Sequence, residues 1–298
     1  MANKPVVLVA GATGMLGSKI VSALLAKGET QVKALVRPGS NNPKIEEMKA
    51  QGATIVEGDL MQPETLEPIF ADVDIVISAV GNNEETVPAQ KNLIDVAKAQ
   101  GVKRFIPSDY SVDYRKLDYG DNDNLDKRKE VLSYLQQSGL DYTLILNGAF
   151  MDNVGTPYMP QFNFDRGTFE YWGDRDTLLD FTTTDDTAKY VAEAASDPNL
   201  VNTALEVAGD VLSHKQLLAA YEEVSGKKLQ EKRLGSVEEL KVWIEQKKPS
   251  ANSPVEYVPQ QYEYTMVSSK GKLDNIQNSR YPNIKPLTVR QFLEQADL

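Results

Sequence analysis

Short apolar runs and amphipathic stretches alternate along the first half of the chain. Runs such as Val6-Val7-Leu8-Val9-Ala10 and Ile75-Val76-Ile77 are apolar at every position rather than at every second one. That is the pattern of strands covered on both faces. It predicts strands over 5–10, 32–37, 54–57, 74–80, 104–108 and 142–147. Between them, apolar residues recur at helical spacing over 17–27, 45–51, 63–70, 86–100 and 126–138. Strand–helix alternation at this spacing builds βαβ units, so the expected fold is α/β, a doubly wound parallel sheet.

Beyond about residue 150 the pattern loosens. Residues 162–172 are rich in aromatics and glycine and read as loop and hairpin. Helices are expected over 185–196, 213–225, 237–247 and 289–296, and a strand over 204–207. Gly226 stops the second of these helices, and 248–259 reads as a loop containing proline and serine. This half is expected to form a smaller α+β C-terminal lobe. The division expected is 1–155 for the sheet domain and 156–298 for the lobe, with the chain free to cross between them.

The junction of the first strand and first helix is Gly11-Ala12-Thr13-Gly14-Met15-Leu16-Gly17. One glycine makes the tight turn, another lets backbone approach a pyrophosphate, and the last lets helix and strand pack closely. The helix N-terminus offers free N–H groups and a partial positive charge to phosphates. A glycine triplet alone says little, but in this strand–helix context it marks a dinucleotide-binding Rossmann loop. A Walker A loop is excluded, because Lys19 follows Ser18 rather than preceding it. Arg37 stands twenty positions after Gly17, where an acidic residue would hold the ribose of NAD. An arginine there pairs with a 2′-phosphate, so the expected cofactor is NADP(H). A charged hydrogen bond of roughly 1.5–3 kcal/mol favours it by about 10–100-fold. Asp59, followed by Leu60, ends the third strand and reads equally as an adenine-side acceptor or a turn aspartate.

Composition narrows the classes further. With 41% hydrophobic and 25% charged residues in 298, the chain is an ordinary globular one that needs no staples to bury a core. The absence of cysteine excludes disulfides, thiolate metal sites and a cysteine nucleophile, and suits a reducing compartment. A net charge of -11 argues against nucleic-acid partners. No apolar run is long enough to span a bilayer, so no membrane association and a cytoplasmic location are expected. The carboxylates show no metal-ligand spacing, and no metal is expected. The single histidine, His214, follows the N-cap candidate Ser213 and reads as a surface residue.

Several further motifs accompany the glycine loop: Leu35-Val36-Arg37, Ser78-Ala79-Val80-Gly81 and Val102-Lys103-Arg104-Phe105-Ile106-Pro107-Ser108-Asp109-Tyr110. Asn147-Gly148-Ala149-Phe150-Met151-Asp152 and Phe181-Thr182-Thr183-Thr184-Asp185-Asp186-Thr187-Ala188 complete the set. Over nearly its whole length the chain resembles the NmrA-like family of atypical short-chain dehydrogenases, and within it the isoflavone and pinoresinol–lariciresinol reductases. The resemblance implies that Ser78, Ala79, Val80 and Gly81 line the nicotinamide ribose. It implies that Ser108, Asp109 and Tyr110 form a loop beside the nicotinamide, and that Asn147 and Phe150 close the pocket over it.

One position departs from that group. Its reductases carry a lysine on the helix after the fifth strand, and the matching position here is Arg128, flanked by Lys127 and Lys129. Arg128, Val131 and Leu135 share one helical face, which their apolar members mark as inward. A lysine can give up its proton when buried, whereas an arginine stays protonated. Candidate catalytic residues are therefore Lys127, Arg128 and the nearby Tyr110. The resemblance implies an NADPH-dependent oxidoreductase that passes hydride to a small conjugated or aromatic substrate. Tyr158, Phe162, Phe164 and Trp172 are its candidate walls. The missing lysine keeps open a non-catalytic NADP(H) redox sensor acting on a regulated protein, and a cofactor-bearing assembly factor is a third alternative that no feature of the sequence supports or excludes.

Overall fold

Residues 4–81 and 83–296 are described in a computed structural model. Its continuous apolar runs become the middle of a parallel sheet. In chain order the first half forms β1 (Val6–Ala10), α1 (Met15–Lys27), β2 (Gln31–Val36), α2 (Lys44–Ala50), β3 (Thr54–Glu57) and β4 (Ile75–Ser78). Next come α3 (Thr86–Ala99), β5 (Arg104–Ile106), α4 (Asp123–Ser138) and β6 (Asp141–Leu146). The stretch 63–70, expected as a helix, is two 3-10 turns, Pro63–Thr65 and Glu67–Phe70. Pro68 has no N–H to continue an α-helical ladder across them.

The second half comprises β7 (Ala149–Phe150), β8 (Phe162–Asn163), β9 (Thr168–Trp172), β10 (Leu178–Thr182), α5 (Thr184–Ser196) and β11 (Thr203–Glu206). It continues with β12 (Asp210–Ser213), α6 (His214–Ser225), β13 (Gln230–Gly235), α7 (Val237–Lys247), α8 (Val258–Val267) and α9 (Val289–Gln295). The large sheet runs β3-β2-β1-β4-β5-β6-β11 and is parallel throughout. The order reverses between β1 and β4, where α/β sheets open a crevice for ligands.

The chain thus returns from the lobe to the sheet. The strand expected near 204–207 pairs with β6 as the seventh strand, and α5 packs on α1. Lys19 bonds Asp185 and Lys27 bonds Glu193 across that helix pair, both at 2.6 Å. The buried Arg104 side chain donates to the carbonyls of Ala195, Asp197 and Leu200, tying β5 to the end of α5.

Two small sheets, β12-β10-β7 and β13-β9-β8, make the lobe, and the expected hairpin is the β8–β9 pair. Helix α8 was not apparent in the apolar pattern, because its buried face mixes Gln261, Glu263 and Thr265 with Val258, Tyr264 and Val267. Pro259 lies in its first turn, where a missing N–H costs nothing. Residues 258 and 259, expected as loop, therefore begin a helix. His214 is a further correction. Ser213 does cap α6, in a full capping box, but the histidine is completely buried, with Phe169 and Tyr171 packed on its ring. No helix among the described residues is long and apolar enough to cross a membrane.

Candidate cofactor and substrate site

The glycine loop is built by close backbone contact. Gly11 has φ +76°, and a Cβ there would lie 2.5 Å from the Ala79 carbonyl oxygen. At Gly17 a Cβ would fall 2.1 Å from the Gly11 carbonyl oxygen, so helix α1 meets β1 only without a side chain. The Gly14 N–H donates to that same Gly11 oxygen at 2.9 Å. Gly14 also caps α1, and no side chain bonds the first-turn amides. Those amides and the helix dipole suit a pyrophosphate.

Beside the loop opens a cleft of about 380 Å³. Gly11, Thr13 and Gly14 form one wall, Arg37, Asp59 and Leu60 another, and Ala79, Val80 and Gly81 a third. Arg37 is exposed, and its side chain has no hydrogen-bond or ion-pair partner among the described residues. Lys44 stands nearby, with Nζ 3.0 Å from the Ser18 hydroxyl oxygen. Asp59 sits in a turn at the edge of the cleft. Its carboxylate accepts from the Met61 N–H at 2.9 Å as a turn residue does, and it also lines the cleft. Ser40 and Thr86 line it too; ordinary loop and helix-start residues, they carry no motif that would have marked them.

A second cavity, of about 230 Å³, borders the start of α1 at Met15. Of the expected residues it brings together Met15, Tyr110, Arg128 and Phe150. Tyr158, Tyr262 and Met266 complete its apolar side. The last two sit on α8, whose half-polar buried face carries no apolar periodicity to mark them. Arg128 projects from the inward face of α4 and is 7% exposed. Its Nη1 donates to the Asp109 carbonyl oxygen at 2.5 Å, and its Nε has no partner.

Other candidates stand elsewhere. The Tyr110 ring lines the second cavity, but its hydroxyl donates to the Ser78 carbonyl oxygen at 3.0 Å. Burial, and after it the Asp109 charge, raise that phenol far above its ordinary range, and its hydrogen bond ties the loop after β5 to the end of β4. Lys127 is drawn away, its Nζ 3.1 Å from the Asn83 carbonyl oxygen, and Lys129 bonds the Leu117 carbonyl. Ser78 and Asn147 are wholly buried and line neither cavity; nor do Leu16 and Gly17. Ser108 supports the cleft from below, donating through Oγ to the Val80 carbonyl oxygen at 2.8 Å. The Asp109 carboxylate is buried and accepts from the Tyr114 hydroxyl at 2.8 Å. Burial pushes its carboxyl up to about 6, against the Tyr114 hydrogen bond and the Arg128 and Arg115 charges.

Among the expected walls, only Tyr158 lines the cavity, edge-on to Tyr262 with centroids 6.4 Å apart. Phe162 and Phe164 pack instead on Tyr221 of α6, at 5.3 and 5.4 Å. Trp172 packs with Leu240 and Tyr264. Phe162 and Trp172 pack into the small lobe's own cores, while Phe164 lies exposed against Tyr221.

The pattern of the NmrA-like family matches residues 3–293. The chain belongs to the NmrA-like family. It is 28% identical to pinoresinol reductase 2 of Arabidopsis thaliana, over 98% of this chain and 97% of that protein. Isoflavone reductase of Glycine max is 27% identical over 99% of each. Asnovolin J 5′,6′-dehydrogenase of Aspergillus novofumigatus is 31% identical over 80% of this chain and 75% of its own. Among solved structures, an Arabidopsis pinoresinol reductase with NADP+ and (+)-pinoresinol superposes with TM-score 0.84 at 24% identity, covering 99% of each chain. The leucoanthocyanidin reductase–NADPH complex from Vitis vinifera gives 0.83 at 22% identity, over 97% of this chain and 98% of that one. These confirm the doubly wound sheet with its smaller lobe. The relatives thus include pinoresinol and isoflavone reductases, and these two neighbouring structures hold NADP+ and NADPH.

Proposed function

We propose that this protein is an NADPH-dependent reductase of a small conjugated or aromatic acceptor. The observation that carries the reading is the adjacency of the two cavities. Consecutive residues Gly14 and Met15 line one each, so a dinucleotide cleft and an apolar acceptor pocket meet at the phosphate loop. The glycine loop and first-turn amides of α1 would hold the pyrophosphate, and the free Arg37 a 2′-phosphate. Bound NADPH supplies a hydride, and this chain's residues orient the acceptor and keep water from it. Phe150 and Tyr158 provide flat walls for a planar ring. The similarity to reductases over almost the whole chain supports the same reading.

A second reading, an NADP(H) redox sensor for a protein partner, rests on Arg128. In the group's lysine position it cannot serve as an ordinary proton donor. One experiment separates the two. NADPH oxidation is followed with purified protein against quinones, enones and phenylpropanoids, and NADPH and NADH binding is measured for wild type and Arg37→Ala. The expected result is turnover of at least one acceptor class. The variant should bind NADPH about 10–100-fold more weakly, with NADH little changed. Tight NADPH binding with no acceptor reduced sinks the reductase reading in favour of the sensor.

A further inference from the structure

Arg128 is the one charged side chain among the described residues lining the second cavity. It is buried, its Nε is unpartnered, and no carboxylate forms an ion pair with it among the described residues. Its one protein hydrogen bond goes to a backbone carbonyl. Asp109 lies close enough for its charge to act on Arg128, yet it makes no ion pair with the guanidinium: one carboxylate oxygen accepts from the Tyr114 hydroxyl and the other has no partner, while the Tyr110 hydroxyl is taken by Ser78. A buried cation is costly unless a counter-charge meets it. The other side chains lining the cavity, Ser111 and Asn153 among them, are uncharged, so a group entering it meets the guanidinium as its one ionic partner there.

We propose that Arg128 makes this cavity an oxyanion receptor, and that the acceptor is a planar enone- or quinone-type molecule whose oxygen lies against the guanidinium. The inference rests on the reductase reading for its chemistry. A hydride taken with its electron pair from the nicotinamide C4 forms a C–H bond at the β-carbon. The C=C pair shifts toward the carbonyl, whose oxygen becomes negative, and NADP+ remains. Arg128 holds that charge by charge-assisted hydrogen bonds. Because the guanidinium keeps its proton, water protonates the α-carbon after release. The same fact sets the substrate class. A molecule that must first lose a phenolic proton to this residue is not activated here, whereas one that arrives already electrophilic is.

The test reads charge preference without turnover. Protein saturated with NADP+ is titrated with 4-nitrophenol, a planar probe whose phenolate is coloured, across its ionisation range. Wild type should bind the phenolate at least about tenfold more tightly than the phenol, lowering the bound probe's ionisation by about one pH unit or more. Arg128→Met should abolish the preference and Arg128→Lys should keep part of it. If Arg128→Met fails to bind NADP+, Arg128→Gln is read in its place. Equal binding of the two forms, no saturable binding, or a preference that survives in a folded variant lacking the charge overturns the proposal. Phenolate preference without reduction of any acceptor would leave the receptor standing and remove the reductase reading. Turnover without the preference would do the reverse.

Discussion

His214 shows how far one side chain's behaviour depends on neighbours distant in sequence. Its ring packs 5.2 Å from Tyr171 and 6.0 Å from Phe169, and neither ring nitrogen has a partner. Burial alone lowers its pKa from 6.5 to about 4. The folded state therefore holds it neutral where the unfolded chain would protonate it. Its contribution is fully present above about pH 6.5 and is lost as pH falls toward about 4. The slope is at most about 1.4 kcal/mol per pH unit. Urea unfolding of wild type and His214→Phe over that window should show a shallower decline in the variant. Equal slopes would mean that the histidine is not buried uncharged.

At the scale of elements, α8 has the largest consequences for the site and was the least visible in the sequence. It carries Tyr262 and Met266 to the acceptor cavity, and on its buried face it carries Glu263. That carboxyl accepts from the Trp172 N–H of β9 at 3.3 Å, and burial pushes it from 4.5 up to about 8. An acid whose folded pKa is raised is held protonated in the folded state while the unfolded chain ionises. Its stabilisation is full below about pH 4.5 and is lost as pH rises to about 8. Glu263→Gln should flatten stability across that window, measured by denaturant midpoint. A wild-type midpoint that does not fall with pH relative to the variant would count against a protonated Glu263. The helix escaped notice because periodicity detects apolar faces, and this face is half polar.

For the whole molecule, the acceptor cavity exists because the lobe closes over the carboxyl ends of the sheet strands. Lys272 pairs with Asp180, and the Leu273 N–H donates to the same carboxylate at 2.9 Å, fastening the segment after α8 to β10. Gly148, at φ +68°, lets the chain leave β6 against Asp180, whose carbonyl oxygen would lie 2.3 Å from a Cβ there. The cofactor cleft lies entirely within the first 90 residues. Met266→Trp should therefore fill much of the 230 Å³ cavity and raise the acceptor KM at least about tenfold, leaving NADPH affinity unchanged. Equal weakening of NADPH would show that the two cavities are one.

The sequence by itself determined the cofactor half of this protein. Gly11, Gly14, Gly17 and Arg37 lie within one βαβ unit, where neighbours in space are neighbours in sequence, so spacing translates directly into geometry. The inward face of Arg128 was legible for the same reason, since Val131 and Leu135 share its helix. Tertiary structure alone decided the acceptor half. It put Tyr262 and Met266 opposite Arg128, turned Phe162 and Trp172 into lobe packing, took the Tyr110 hydroxyl to Ser78, and returned β11 to the sheet. Each of these is a contact between segments far apart in the chain. Local periodicity marks which face of an element is buried, but it does not say what buries it.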